Sequence, residues 1–175
     1  MDLDAVLKAK IREVQDFPKP GINFKDITPL LSDPVTLGYA ISKIKEYFST
    51  KRINVVASAE SRGFIFGAIL AHELGVSFVP IRKPGKLPWR TIKEEFELEY
   101  GKDAFEIHED SIKSGDNVLL VDDVLATGGT MSAAVRLIER LNGNVAGIAF
   151  LVELSYLKGG EKIKGYDVFS LIDYK

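Results

Sequence analysis

The stretch NVLLVDDVLATGGTMSA, residues 117–133, runs a series of aliphatic side chains directly into two adjacent aspartates, Asp122 and Asp123. A double glycine flanked by hydroxyls follows. The unbroken aliphatic run at 118–121 predicts a strand buried on both faces, as in a parallel sheet. Core packing gains nothing from paired carboxylates at the exit of such a strand, so the turn is read as a binding element. A helix is expected from about residue 130 to 141. Its N-terminus offers unpaired N–H groups and about half a positive charge, which suits a phosphate monoester. Gly128 and Gly129 let the backbone approach that group, and Thr127 and Thr130 add hydroxyl donors. Ala126, Thr127, Gly128, Gly129 and Thr130 together form the expected phosphate cradle.

Two carboxylates beside a phosphate would repel it unless they bind something else. A carboxylate only accepts, so it can take the protons of a vicinal diol. Phosphate on one side and diol on the other describe a 5-phosphoribosyl group, with Asp122 and Asp123 holding the ribose. The GxxxxGK[ST] and GxGxxG loops occur nowhere in the chain, which disfavours nucleoside triphosphates and dinucleotides. The bland alternative is a tight strand-to-helix turn capped by aspartate.

Outward from this stretch, the elements alternate. Leu3, Val6, Leu7, Ile11 and Val14 recur at helical spacing, and DFPKPGINFKDITP (16–29) then breaks into an irregular arm. Asp33 as N-cap and Pro34 at the first helical position open an amphipathic helix carrying Leu37, Ala40, Ile41, Ile44 and Phe48. INVVAS (53–58), a helix stopped by Gly75, and VSFVPI (76–81) make a strand, helix, strand unit. TIKEEFELEY (91–100) alternates apolar and charged side chains, as a strand with one wet face would. Strands at 145–152 and about 167–172 complete the frame. The expected architecture is α/β, a mostly parallel twisted sheet flanked by helices. Ligands in such sheets sit beyond the carboxyl ends of the strands.

A chain of 175 residues is long enough for a single domain burying roughly 70% of its unfolded surface. Its formal net charge of −2 lacks the basic field of a nucleic-acid binder. There is no cysteine, which excludes disulfides, thiolate metal sites and cysteine nucleophiles. No apolar run approaches the roughly 20 residues of a membrane span, and the opening MDLDAVLKAK does not read as a signal peptide. The expectation is a protein that stays in the cytoplasm, without membrane or nucleic-acid partners.

The thirteen residues VLLVDDVLATGGT (118–130) resemble the phosphoribosyl pyrophosphate signature of the type I phosphoribosyltransferases. FPKPGINFKDITPLL, ESRGFIFG, VPIRKPGKLP, LEYG and LVELSYLKGGEK resemble, in order and spacing, the adenine phosphoribosyltransferases. The likeness runs from about residue 10 to the C-terminus. It implies one phosphoribosyltransferase domain over 1–175, with an N-terminal hood at about 15–32 and a flexible catalytic loop at about 84–104. It also implies a homodimer acting on adenine and phosphoribosyl pyrophosphate, with Mg2+ arriving on the substrate and needing no direct protein ligand.

Residue by residue, the resemblance implies a pyrophosphate loop at Glu60, Ser61 and Arg62, with a cis peptide bond between Glu60 and Ser61. A guanidinium at Arg62 can hold pyrophosphate bidentately, and a plain ion pair between Arg62 and Glu60 is the alternative. Arg82 and Lys83 are matched to further pyrophosphate contacts, as is Tyr100, while Lys86 reads as solvated. LEYG aligns Glu99 with the catalytic glutamate on a loop that closes over the substrates. Glu94, Glu95 and Glu97 read as ordinary surface. In the hood, Phe24 would stack on the purine and the backbone of Asn23 and Lys25 would read its 6-amino group. The family pattern carries arginine at Lys25, a departure of small effect if the contact is through the backbone. Leu157 would cover the opposite face. His72 and His108, the two histidines, have no partners suggesting catalysis. A transferase for a 6-oxopurine and a purine-sensing regulator that does not turn over its ligand are the competing readings.

Overall fold

The computed structural model describes residues 3–98 and 101–175, and the chain divides into two compact units, Met1–Lys43 and Ile44–Lys175. The first contains α1 (Leu3–Ala9), β1 (Arg12–Val14), β2 (Phe24–Asp26), α2 (Thr28–Leu31) and most of α3 (Pro34–Tyr47). The helical spacing that predicts one helix through Val14 fails after Ala9, where Arg12–Val14 pairs antiparallel with Phe24–Asp26. The register sets Glu13 opposite Lys25, and the Lys25 ammonium lies 2.8 Å from the Glu13 carboxylate. That pairing gives the segment a use for extended backbone which local periodicity does not reveal. The arm also holds a short helix, since Asp26 accepts from the N–H of Thr28 at 2.9 Å and Pro29 is tolerated in a first turn. Asp33 caps α3 as expected, accepting from the N–H of Val35 at 3.0 Å.

In the second unit β3 (Val55–Ala59), β4 (Ser77–Ile81), β7 (Asn117–Leu125), β8 (Asn144–Leu154) and β9 (Val168–Tyr174) form a five-stranded sheet in the order β4-β3-β7-β8-β9. Every neighbouring pair is parallel. All five residues of β3 are buried, the mark of a sheet covered on both faces. On one face Val55, Ala57, Val118 and Leu120 pack with Met131, Ala134 and Ile138 of α5 (Gly129–Arg140). The same cluster takes in Phe96, Phe105 and Ile107 from an antiparallel hairpin, β5 (Thr91–Leu98) and β6 (Gly101–His108). The alternating segment 91–100 thus supplies β5, and the span 84–104 holds β5 with the start of β6.

The other face is covered by α4 (Gly63–Leu74), which ends at Gly75 in the left-handed conformation at φ 66°. Contact there is close: a Cβ on Gly67 would overlap the Ser58 hydroxyl and lie 2.9 Å from the Phe78 ring. Gly67→Ala should therefore lower the unfolding free energy by about 1–3 kcal/mol through overpacking, measured by urea denaturation. Because the Ser58 hydroxyl is buried without a hydrogen-bond partner, Ser58→Ala in the same chain should recover part of the loss. A loss below about 0.5 kcal/mol, the range of a neutral surface change, would show that α4 can ride away from the sheet.

Candidate functional site

The chain leaves β3 to form β4 on one side, and later returns as β7 on the other side of β3. The sheet order reverses at the β3/β7 boundary, and a crevice at the carboxyl ends of the two strands is the expected ligand position. Residues 60–62 and 122–130 both lie at this edge, one set from each strand.

The aspartates are not at the strand exit, as the aliphatic run suggests, but within β7. Its ladder continues through Asp122 opposite Phe150 and Val124 opposite Val152 to Leu125. Backbone pairing is indifferent to the charge of the side chains, so the strand outlasts its aliphatic run by four residues. Asp123 is 5% exposed and accepts a hydrogen bond from Nε of Arg62, which bridges the two strands as an ion pair. Asp122 accepts the N–H of Asp123 on Oδ1 at 2.8 Å. Burial, and then the charge of Asp123, hold the Asp122 carboxyl well above the ordinary aspartate range; the positive charge of Arg62 offsets this only in part. Gly63 makes room for the arrangement, since a Cβ there would stand 2.7 Å from Asp122 Oδ1.

One turn later Gly128 takes φ 75° as the N-cap of α5, a conformation that favours glycine. The helix begins at Gly129, one residue before the expected start. A cavity of ≈ 60 Å³ sits at this corner, lined by Asp122, Ala126, Thr127, Gly128, Thr130 and Phe150 among others. The turn is braced from outside. A Cβ on Gly128 would overlap the carbonyl of Gly159, and a Cβ on Gly159 would overlap that of Ala126. Gly159 follows the single 3-10 turn Ser155–Leu157, on which Leu157 is 39% exposed.

The peptide bond between Glu60 and Ser61 is cis. The cations predicted for pyrophosphate are all present at the edge, each with a carboxylate already on it. Arg62 has Asp123 rather than Glu60. Glu60 instead pairs with Nε of Arg82 at 2.7 Å, and Lys83 pairs with Asp103 of β6 at 2.9 Å. Hydrogen bonding from Lys83 is the main cause holding the Asp103 carboxyl below its usual value, against the opposing effect of burial. Glu99 and Tyr100 lie outside the described residues.

In the first unit Phe24 is half-buried, with the Phe17 ring edge-on at 5.2 Å. The Asn23 amide donates to Glu13 at 2.8 Å. Lys25, whose side chain is 5% exposed, also turns to Glu13.

Three features escape sequence reading. Asp103 stands in a strand with no local sign of its partner 20 positions earlier. Gly159 is found only through its contact with the phosphate turn. Glu94, read as ordinary surface, accepts from Arg136 at 2.6 Å and Arg140 at 3.0 Å, tying β5 to α5. Burial raises the Glu94 carboxyl, and these hydrogen bonds outweigh it to leave the group below its usual value. The spacing of Arg136 and Arg140, four residues apart on one helix face, is the available signal. Neither histidine joins a metal-binding group among the described residues; His108 accepts the Trp89 N–H at 3.3 Å.

Residues 37–174 match the family model for the phosphoribosyl transferase domain. The chain is 56% identical over 168 residues to the adenine phosphoribosyltransferase of Clostridium perfringens, covering 96% of this chain and 98% of that protein. The crystal structure of adenine phosphoribosyltransferase from Thermoanaerobacter pseudethanolicus superposes with a TM-score of 0.96 at 50% identity, covering 98% of this chain and 99% of the other. The Saccharomyces cerevisiae enzyme, solved with an imino-altritol bisphosphate and adenine, superposes at 0.91 with 41% identity, over 97% and 98% of the two chains. With the paired aspartates and the glycine turn set at the switch point of a parallel sheet, the chain belongs to the phosphoribosyltransferase family, among the adenine phosphoribosyltransferases.

Proposed function

We propose that this protein transfers the 5-phosphoribosyl group of phosphoribosyl pyrophosphate to adenine, giving AMP and pyrophosphate in purine salvage. The observation that carries the reading is a paired carboxylate beside a glycine turn at a helix start with its ≈ 60 Å³ cavity, with Arg62 joined to Asp123 and with Arg82 and Lys83 following the neighbouring strand β4. Those are the groups a sugar diol, a 5′-phosphate and a pyrophosphate each require.

In this reading the backbone at Ala126, Thr127, Gly128, Gly129 and Thr130 receives the 5′-phosphate, and Asp122 and Asp123 receive the ribose hydroxyls. Glu60, Ser61, Arg62, Arg82, Lys83 and Tyr100 receive the pyrophosphate. The bond from the anomeric carbon to pyrophosphate breaks, the sugar passes through an oxocarbenium-like state, and N9 of adenine attacks with inversion. Positive side chains stabilise the charge that develops on the leaving group. Glu99 takes the proton released by the purine imidazole ring and returns it in the reverse direction. Phe24, with the backbone of Asn23 and Lys25, is assigned to adenine, and Leu157 likewise.

Mg2+ belongs to the same proposal as a companion of pyrophosphate, where phosphate oxygens and water supply most of its shell. A homodimer and a cytoplasmic location are proposed from the family likeness; among the described residues no helix is long and apolar enough to cross a membrane.

Incubation with magnesium, phosphoribosyl pyrophosphate and one purine at a time should release pyrophosphate with adenine and not with hypoxanthine or xanthine. Release with a 6-oxopurine alone, or binding with no release, would overturn the assignment. Glu99→Gln should lower kcat by roughly 10² or more while phosphoribosyl pyrophosphate binding stays near normal; unchanged turnover would remove Glu99 from the mechanism.

Asp122 sets function against stability. Its folded-state pKa is raised above 3.8, so the folded chain binds more protons than the unfolded one across that interval. Stability therefore falls as pH rises through it, and the full penalty is present above the folded value. Asp122→Asn should raise Tm at about pH 8 by ~2–4 °C, the equivalent of about 1 kcal/mol in a chain of this size. The gain should shrink toward about pH 4, and phosphoribosyl pyrophosphate should bind more weakly throughout. A variant that is less stable at about pH 8 would contradict the electrostatic account.

A further inference from the structure

Three cations face the crevice and each carries an internal carboxylate: Arg62 with Asp123, Arg82 with Glu60, Lys83 with Asp103. Asp123 and Glu60 are assigned to substrate in the reading above. Asp103 is not, and it differs in position as well. It comes from β6 of the hairpin rather than from the carboxyl edge of the sheet. It sits opposite Phe96, a residue whose ring is fixed in the core. Its Oδ1 is held at 2.8 Å by the N–H of Ala104, leaving Oδ2 for Lys83 at 2.9 Å. The carboxylate is thus anchored by its own strand, whereas the ammonium is the mobile member, its side chain 55% exposed against 25% for Asp103.

Asp103 engages one of the three donors of the Lys83 ammonium and sets a negative charge beside it. An incoming anion therefore competes with Asp103 for Lys83, and when the anion leaves, Asp103 takes that donor back. Resting on the assignment of Lys83 to pyrophosphate, we propose that Asp103 is a positioning residue, an internal competitor for Lys83 that weakens the hold on pyrophosphate and so favours release of that product. By reciprocity, pyrophosphate binding frees the hairpin from its tie to residue 83. The competition is modest because the pair is partly exposed, where ion pairs are weak and screened by salt.

The test is a double-mutant cycle on direct pyrophosphate binding, measured by calorimetry in magnesium-containing buffer with the full chain. Asp103→Asn keeps an acceptor for the Ala104 N–H and removes only the charge. It should tighten pyrophosphate binding by about threefold, the scale of a partly exposed ion pair, and lower the inhibition constant for pyrophosphate in parallel. Lys83→Ala should weaken binding, and adding Asp103→Asn to it should change nothing further. Equal tightening in both backgrounds would reduce Asp103 to a general field effect and overturn the proposal. No tightening in Asp103→Asn, with Lys83→Ala still weakening, would overturn it while leaving the pyrophosphate site intact. Unchanged binding in Lys83→Ala would instead strike the Lys83 assignment, and the inference with it.

Discussion

The site depends on the parallel pairing of β3 with β7, Val55 opposite Val118 through Ser58 opposite Val121. Parallel pairing sends both strands out at the same edge, and each feeds a helix that starts there, α4 at Gly63 and α5 at Gly129. Because β4 lies on the far side of β3 and β8 on the far side of β7, nothing fills the gap between the two exits. The chain itself has to line that gap with polar groups, and the bridging ion pair of Arg62 with Asp123 does so. Antiparallel pairing would have put one loop at each end of the sheet and left no crevice with two helix starts.

The polar edge is stabilised by mutual pairing and destabilised by what the pairing leaves over. Arg62 hydrogen-bonds Asp123 and only partly offsets the cost at Asp122, where burial and a neighbouring negative charge raise the carboxyl. A core built only for stability would not retain such a group. Gly63 leaves the space that Asp122 occupies, since a Cβ there would stand 2.7 Å from its Oδ1. The same logic separates Glu94 from Asp122. Glu94 meets two arginines and ends below its ordinary value, which is what a carboxylate holding a hairpin to a helix should look like.

Much of this was legible in the sequence because aliphatic runs and glycine stops report burial directly. The runs at 53–58, 118–121 and 145–152 predict the central strands, and Gly75 marks a helix end in the left-handed conformation. What was not legible depends on partners distant along the chain. Ile11 and Val14 fit a helical period, yet the segment pairs with residues 24–26. Only Ser61 separates Arg62 from Glu60, but the carboxylate of Arg62 is Asp123, 61 positions away. Sequence proximity favours the wrong partner there, because Asp123 of β7 takes Arg62 while Arg82, after β4, takes Glu60. The second strand of the hairpin was passed over for a related reason. GKDAFEIH alternates well enough, but no Asn-Gly or Asp-Gly turn announces its pairing with β5.

The two compact units also divide the chemistry. The groups suited to a sugar phosphate, Asp122, Asp123, residues 126–130 and the three cations, all belong to Ile44–Lys175. The hood residues Asn23, Phe24 and Lys25 belong to Met1–Lys43, where Glu13 organises them by accepting from both the Asn23 amide and the Lys25 ammonium. Those hydrogen bonds are also the main reason the Glu13 carboxyl lies below its usual value, Lys25 first. The Glu13 contacts that hold Asn23 and Lys25 lie within the first unit. The candidate sugar-phosphate half is tied to the central sheet. Its aspartates are ladder residues of the central strand, its phosphate turn is wedged against Gly159, and a change in either is transmitted to the core.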